Sequence, residues 1–156
     1  MLYYHVSKRE LRLDTILTKG VYGEKIRRPD FVEQHYATHL KEEIFEAIRQ
    51  AEFPSLPSRL SSVFLWQDLA TAQAFYAHQG HYEHYLYAVE ILEGEPFPAE
   101  MDLLHCEGVA YTQIAQCARH YWKQVHHPNS QTIEVLLDGK AAVKKLILPP
   151  SSIGDL

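Results

Sequence analysis

The sequence predicts a single α+β domain, and three observations lead to that prediction. The chain has 156 residues, of which 46% are hydrophobic and 22% are charged, which is typical of one globular domain with its own core. Short aromatic and β-branched runs alternate with two long segments of helical periodicity. An Asp-Gly pair separates the last two apolar runs. We therefore expect one domain over residues 1–148 and a flexible tail over 149–156.

The first part of the chain is predicted to hold a strand, a loop and a long helix. Leu2–Val6 is an aromatic and aliphatic run that suits a strand, whereas residues 11–28 show no period and indicate an ordered loop. Residues 30–50 predict a helix, with Asp30 and Glu33 as its capping box. Its predicted buried stripe is Val32, Tyr36, Leu40, Ile44 and Ile48, with Phe45 beside it.

The middle of the chain predicts strands on either side of a short helix. Leu60–Trp66 indicates a strand, and Asp68 would cap a helix that ends at Gly80. Residues 85–92 are apolar on both faces, as expected in the middle of a sheet. Residues 93–98 are interpreted as a turn.

The last third predicts a second long helix and a hairpin. Residues 107–125 have helical periodicity, and the side chains predicted to face inward are Ile114, Cys117, Ala118, Tyr121, Trp122 and Val125. Residues 132–137 and 141–148 flank Asp138-Gly139. That dipeptide favours a two-residue hairpin, because both central positions must tolerate positive φ.

Charge and composition narrow the function classes. A net charge of −5 disfavours a broadly basic surface for nucleic acid. A local basic groove or a solvated basic face both remain open, since the first 28 residues contain Lys8, Arg9, Arg12, Lys19, Lys25, Arg27 and Arg28. There is no signal-peptide pattern, apolar span or disulfide-scaffold spacing, so we expect a cytoplasmic protein without membrane contact.

The ten histidines raise the alternative of a metal-binding protein. His35, His39 and Glu43 would share one helix face, and two such ligands could hold zinc. The sequence places no third ligand, so we expect no metal. The sequence has no Gly-x-Ser-x-Gly elbow and no Gly-rich phosphate loop. A nucleotide would therefore be bound without a Rossmann or P-loop device.

Two polar residues interrupt apolar strands. His5 follows Leu2-Tyr3-Tyr4, and Glu134 lies between Ile133 and Val135. A carboxylate inside a strand is costly to bury unless it faces a wet cleft or has a partner. Glu134 therefore indicates either a functional cleft or an exposed edge strand, and the pattern alone does not decide between them.

In the order and spacing of three segments, the sequence resembles the ADP-ribosyltransferase superfamily. These are Tyr4-His5-Val6-Ser7, then Arg59 to Leu65 running into the helix of Phe75 and Tyr76, and finally Glu134 to Leu137. The resemblance is to its His-Tyr-Glu branch and a small family of uncharacterised bacterial domains. It implies split mixed or antiparallel β-sheets with flanking helices around a central cleft, and NAD as substrate.

The resemblance also implies site residues. Glu134 and His5 would be catalytic, and NAD would be bound by His5, Ser7, Arg59, Ser62, Phe64, Phe75 and Tyr76. A carboxylate stabilises the positive charge that develops on the ribose as nicotinamide leaves. An aromatic face attracts the nicotinamide cation. Each residue also has a structural interpretation, in which Arg59 caps a carboxylate and the aromatic side chains are core residues.

The implied function is that of an NAD-dependent ADP-ribosyltransferase or NAD glycohydrolase. The acceptor is unidentified, with protein favoured over nucleic acid by the acidic charge, and the oligomeric state stays open. The alternative is a catalytically inactive binding module, because Phe64 stands where Tyr is usual and Thr132 stands where arginine-specific members carry Glu or Gln.

Overall fold

The computed structural model describes residues 1–28, 30, 35–78 and 83–151. The strands are β1 (Tyr3–Ser7), β2 (Val63–Leu65), β3 (Tyr85–Glu93), β4 (Phe97–Glu100), β5 (Ile133–Leu137) and β6 (Lys140–Leu148). The helices are α1 (Val21–Ile26), α2 (Tyr36–Glu52), α3 (Leu69–His78) and α4 (Tyr111–Trp122), and a 3₁₀ turn spans Met101–Leu104. The predicted α+β class is confirmed.

The strands form two small antiparallel sheets. Sheet A has the order β1-β3-β6, and sheet B has the order β2-β5-β4. Across the described residues, the sheets are joined by one isolated bridge between Tyr4 and Trp66. The strand predicted over residues 85–92 does lie in the middle of a sheet, as its two apolar faces indicated.

Alternation along β5 divides the core into an inter-sheet layer and a helix layer. Val135 and Leu137 pack between the sheets, together with Val63 and Leu65 of β2. Leu136 points the other way and packs against α2 and α4. A third apolar cluster, around Trp66, Ala72, Tyr76 and Leu86, lies where α3 covers sheet A. Strands β2 and β5 of sheet B thus present alternate side chains to two different cores.

The hairpin predicted at Asp138-Gly139 is wrong. β5 pairs with β2 and β4, whereas β6 pairs with β3, so the dipeptide connects the two sheets. Neither residue, although both lie in the described part, has the positive φ of a hairpin turn. Gly139 is required for a different reason, because a Cβ there would lie 2.0 Å from the carbonyl oxygen of Glu93.

The helix predicted over residues 30–50 is only partly as expected. Within α2, Ile44, Phe45 and Ile48 are buried, but Tyr36 and Leu40 are 59% and 56% exposed. The buried face carries charge instead, in Lys41, Glu42 and Glu46. Val32 and Glu33 lie outside the described residues, as do Gly80 at the predicted end of α3 and the last five residues of the tail.

Several local predictions have mixed outcomes. The Asp68 cap is confirmed, since its carboxylate accepts a hydrogen bond from the Thr71 N–H at 2.8 Å. The predicted turn over 93–98 runs into β4, and the predicted loop over 11–28 contains α1, so both elements were missed. In α4, Val125 was predicted to face inward, but it follows the helix and is 49% exposed.

Gly23 holds α1 against the turn that precedes β2. A Cβ at this position would lie 2.0 Å from the carbonyl oxygen of Leu60. We expect Gly23→Ala to lower the free energy of unfolding by about 1–3 kcal/mol, because overpacking outweighs the better helix propensity of alanine. Urea denaturation would measure it. Glu24→Ala, at the exposed neighbouring position, is the control, and equal stability of the two variants would contradict the prediction.

Candidate functional site

The two sheets separate at His5. The backbone of Tyr4 exchanges hydrogen bonds of 2.8 and 2.9 Å with Trp66. A continuous antiparallel ladder would next join Val6 to Phe64. Instead, Nδ1 of His5 lies 2.9 Å from the Phe64 carbonyl oxygen, while β1 pairs along its other edge with β3. The imidazole thus replaces a backbone donor at what we call the sheet junction, formed by Tyr4, His5, Phe64 and Trp66.

The bond to Phe64 fixes the tautomer of His5. A carbonyl oxygen only accepts hydrogen bonds, so Nδ1 carries the proton. Burial lowers the pKa of His5, and the bond to Phe64 only partly opposes this. The ring is therefore neutral at neutral pH, and Nε2 is a hydrogen-bond acceptor. This chemistry suits a hydroxyl group of a ligand.

A buried polar cluster lies on the helix side of sheet B, centred on Arg59. The Arg59 side chain donates to both carboxylate oxygens of Glu42, at 3.0 and 3.1 Å. It also donates to the Tyr121 hydroxyl at 2.9 Å and to Oε1 of Glu134. Tyr22 donates to Glu42 at 2.9 Å. We call Arg59, Glu42, Glu134, Tyr121 and Tyr22 the Arg59 network.

Aromatic rings enclose the guanidinium group of the network. Its central carbon lies 5.1 Å from the ring centroid of Phe64, 5.3 Å from that of Tyr121 and 5.8 Å from that of Tyr22. Cation–π attraction of this kind adds to the ion pairs when water is excluded. The Phe64 ring is thus occupied by a protein cation, where the resemblance implied a nicotinamide cation.

The network holds Glu42 and Arg59 in their charged forms. Burial would raise the pKa of Glu42, but Arg59, together with Lys41 and Tyr22, holds the pKa below its ordinary value of 4.5. Burial would lower the pKa of Arg59, but Glu134 and Glu42 raise it well above its ordinary value. Burial and Glu134 raise the pKa of Tyr121, so its hydroxyl stays protonated. That hydroxyl donates to Oε1 of Glu134 at 2.6 Å.

Glu134 and His5 face different layers of the molecule. Glu134 lies on the same side of β5 as Leu136, which packs against α2 and α4. His5 lies on the same side of β1 as Tyr3, which packs in the inter-sheet core. The interpretation of Glu134 as an exposed edge residue is wrong, because β5 is the middle strand of sheet B and Glu134 is 3% exposed.

The other site residues implied by the resemblance are dispersed. Ser62 is buried and its hydroxyl donates to the Ser58 carbonyl at 2.6 Å. Ser7 ends β1 and donates to the Arg9 carbonyl at 2.9 Å. Phe75 packs on Trp66 with ring centroids 4.3 Å apart, and Tyr76 donates to the Pro149 carbonyl at 2.6 Å. These two aromatics belong to the third core cluster.

Sequence reasoning missed Glu42, Tyr22 and the polar role of Tyr121. Glu42 lies in the charged run Lys41-Glu42-Glu43, and Tyr121 was assigned to the apolar face of its helix. The one available signal was Arg59, for which a carboxylate partner was considered as the structural interpretation. Its two partners, Glu42 and Glu134, are 17 and 75 residues away, so no local pattern could identify them.

The described residues give no support to a metal centre. No group of three histidine, cysteine or acidic side chains in the described part of the chain could hold a metal ion. His39 bonds to the Ile26 carbonyl at 2.9 Å, and Glu43 pairs with Arg27 at 2.8 Å.

In the described part of the chain, no helix is long and apolar enough to cross a membrane.

Comparison with known proteins gives a family without an assigned activity. Residues 3–149 match a family model described as a protein of unknown function (DUF2441). No curated protein matches the chain significantly. The match covers every strand and helix described above.

Removing Arg59 should strongly destabilise the fold. Arg59→Met leaves Glu134 buried without a countercharge and leaves Glu42 with Lys41 alone, at 3.6 Å. The loss of one partner of a buried pair costs about 3–5 kcal/mol. Thermal and urea unfolding would measure the change. Arg119→Met is the control, because its pair with Glu52 is exposed and should matter little. Comparable stability of the two variants would contradict a central role for Arg59.

Ionised Glu42 should make stability depend on pH. Because its folded-state pKa is lowered, its contribution is present above about pH 4.5 and is lost as the pH falls through the folded value. Glu42→Gln should therefore be less stable than the wild type at neutral pH, with the difference shrinking in acid. Unfolding curves from about pH 7 to pH 3 would test this. A constant difference would show that Glu42 does not titrate as proposed, and Glu24→Gln serves as the exposed control.

Proposed function

We propose that this chain, which belongs to the DUF2441 family, is an ADP-ribosyltransferase-like domain that binds NAD at the sheet junction. The observation that carries the proposal is the neutral His5 at the point where the sheets diverge. Its Nε2 acceptor suits a ribose hydroxyl. The strand order, with a histidine on β1 beside an aromatic residue on β2, agrees with the resemblance of the sequence.

The geometry favours binding without efficient turnover. The carboxylate of Glu134 is buried and receives hydrogen bonds from Arg59 and Tyr121. A carboxylate already matched to a guanidinium group has little charge left to stabilise an oxocarbenium-like transition state. It also lies on the opposite face of sheet B from the inter-sheet layer toward which His5 points. The binding module is therefore the preferred form of the proposal.

A second candidate is the enzyme, an NAD-dependent ADP-ribosyltransferase or glycohydrolase. One observation favours it: the bonds from Arg59 and Tyr121 both end on Oε1 of Glu134. A catalytic position for this carboxylate would require β5 to shift by one residue, which would turn Glu134 to the inter-sheet side. The acceptor would then be water or a protein, since the net charge of −5 disfavours nucleic acid.

The free thiols of Cys106 and Cys117 suit a reducing cytoplasmic setting.

Titration of NAD into wild-type protein and a His5→Asn variant tests the proposal. The amide nitrogen of asparagine can replace Nδ1 as donor to Phe64, but nothing replaces Nε2. We expect unchanged stability and an affinity for NAD about tenfold weaker, the loss from one hydrogen bond. Calorimetry would give the affinity. His105→Asn is the control, because His105 lies on an exposed turn.

Nicotinamide release separates the module from the enzyme. Wild-type and Glu134→Gln proteins would be incubated with NAD, with and without cell extract. The binding module predicts no release by either protein. Release by the wild type that is lost in Glu134→Gln, while both proteins stay folded, would establish the enzyme instead. Failure of NAD to bind the wild type would reject both forms.

A further inference from the structure

A cavity opens beside β6 where the chain after β1 leaves the sheet. The backbone of residues 14–17 pairs with β6, with Asp14 donating to Val143 at 2.7 Å and Val143 donating to Thr15 at 2.9 Å. Before this paired stretch, residues 10–13 lie across a cavity from residues 144–146. The space between these two segments has a volume of about 790 Å³, which is within the range of small-molecule sites. We call it the basic cavity.

Two irregularities in β6 shape this wall of the cavity. Ala88 is opposite Lys145 while Val89 is opposite Val143, so Lys144 is an extra residue. Tyr87 is opposite Leu146 while Leu86 is opposite Leu148, so Ile147 is another. Bulges redirect side chains and are frequent next to functional sites. Here they bracket the two residues, Lys145 and Leu146, that line the cavity between them.

Three cations line the basic cavity in a protein whose net charge is −5. They are Arg12, Lys144 and Lys145, with Glu10 as the acidic member of the lining. Lys144 is neutralised by Asp14 at 2.8 Å. Among the residues that the structure describes, none forms an ion pair with Arg12 or Lys145. These two side chains therefore offer charge to a ligand.

A buried tyrosine hydroxyl adds a third donor. Tyr87 is 2% exposed, and its hydroxyl oxygen accepts a hydrogen bond from the Leu11 N–H at 2.7 Å. Burial raises the pKa of Tyr87, so the hydroxyl keeps its own proton, for which no acceptor is found among the described residues. A hydroxyl that accepts from the protein can still donate to a ligand. Tyr87 is part of the cavity lining, next to the 10–13 segment.

The remaining lining is apolar. Leu13 and Leu146, which are 65% and 43% exposed, contribute apolar surface to the lining. Two cations and a hydroxyl match an anion with several oxygens, as a phosphate group has. The leucines match an apolar body attached to it. We infer that the basic cavity binds a small organic phosphate monoester at a site separate from the sheet junction.

Titration with phenyl phosphate tests the assignment, followed by calorimetry and by NMR shifts of backbone amides. We expect saturable binding with shifts in residues 10–13 and 144–146. Benzyl alcohol, which lacks the anion, and inorganic phosphate, which lacks the apolar body, should each bind about tenfold more weakly or worse. Added salt should weaken phenyl phosphate binding. Equal binding of inorganic phosphate would overturn the apolar half of the assignment.

Matched charge variants locate the site. Arg12→Gln with Lys145→Gln should reduce the affinity at least about tenfold, because two charge-assisted bonds are lost. Lys140→Gln is the control, since Lys140 lies on the same strand, is exposed and pairs with Glu93. An equal loss in Lys140→Gln, or no binding to the wild type, would overturn the site. Tyr87→Phe should weaken binding less, since it removes an uncharged donor.

The site and the proposed NAD site can fail independently. Saturation with phenyl phosphate should leave the affinity for NAD unchanged, and His5→Asn should leave phenyl phosphate binding unchanged. Mutual exclusion of the two ligands would show that the cavity is part of the NAD site and would overturn its separate assignment. Phenyl phosphate binding by a protein that ignores NAD would leave this inference standing and reject the proposed function alone.

Discussion

The described architecture depends on the position of one buried guanidinium group. Arg59 precedes β2, and its bonds reach α2 through Glu42, α4 through Tyr121 and β5 through Glu134. It therefore fixes the two long helices against sheet B at one point. Buried ion pairs are often no more stabilising than apolar packing of the same volume, but they fail badly when one partner is lost. Their effect is to specify one arrangement, because a shifted helix would leave a buried charge unmatched.

The same constraint decides what Glu134 can do. Alternation along β5 places its side chain with Leu136 on the helix side, and a shift of one residue would move it to the inter-sheet side. The network makes such a shift costly, since Arg59 and Tyr121 would lose their acceptor. A residue that the sequence singles out for chemistry is thus engaged by the protein itself. The position of Glu134 along the chain and the order of the strands do not reveal this engagement, because neither depends on which face of the sheet a side chain occupies.

Local sequence patterns correctly predicted the features that depend on residues close together in the sequence. They failed for the features that are determined by contacts between distant residues. The Asp68 cap, the α+β class and the apolar faces of β3 were predictable, since each depends on residues a few positions apart. The Asp138-Gly139 hairpin failed because β2 and β4 compete for the edges of β5.

The stripe on α2 failed for a related reason. Four-residue spacing is satisfied by Tyr36 and Leu40. The buried face of the helix is selected instead by Arg59 and Ser58, which donate hydrogen bonds to Glu42 and Glu46. The candidate site was predictable only in part. The sequence singled out His5 and Glu134, but it did not show that Glu134 belongs to the Arg59 network, because no sequence spacing encodes that network.

Sheet separation and ligand chemistry are linked through His5. Where two strands part, a backbone carbonyl is left without its ladder donor, and leaving it unsatisfied costs about 1–3 kcal/mol. A serine side chain is too short to span such a gap. An asparagine side chain could donate to the carbonyl, but it has no atom at the position that Nε2 occupies in histidine. Histidine does both, because the bond at Nδ1 makes Nε2 an acceptor about two bond lengths further out. The register then carries this row across sheet A, from His5 to Tyr87 and on to Leu146. One row of side chains thus begins at the split between the sheets and ends at the basic cavity, so both candidate sites depend on the register that β3 imposes on its two neighbours.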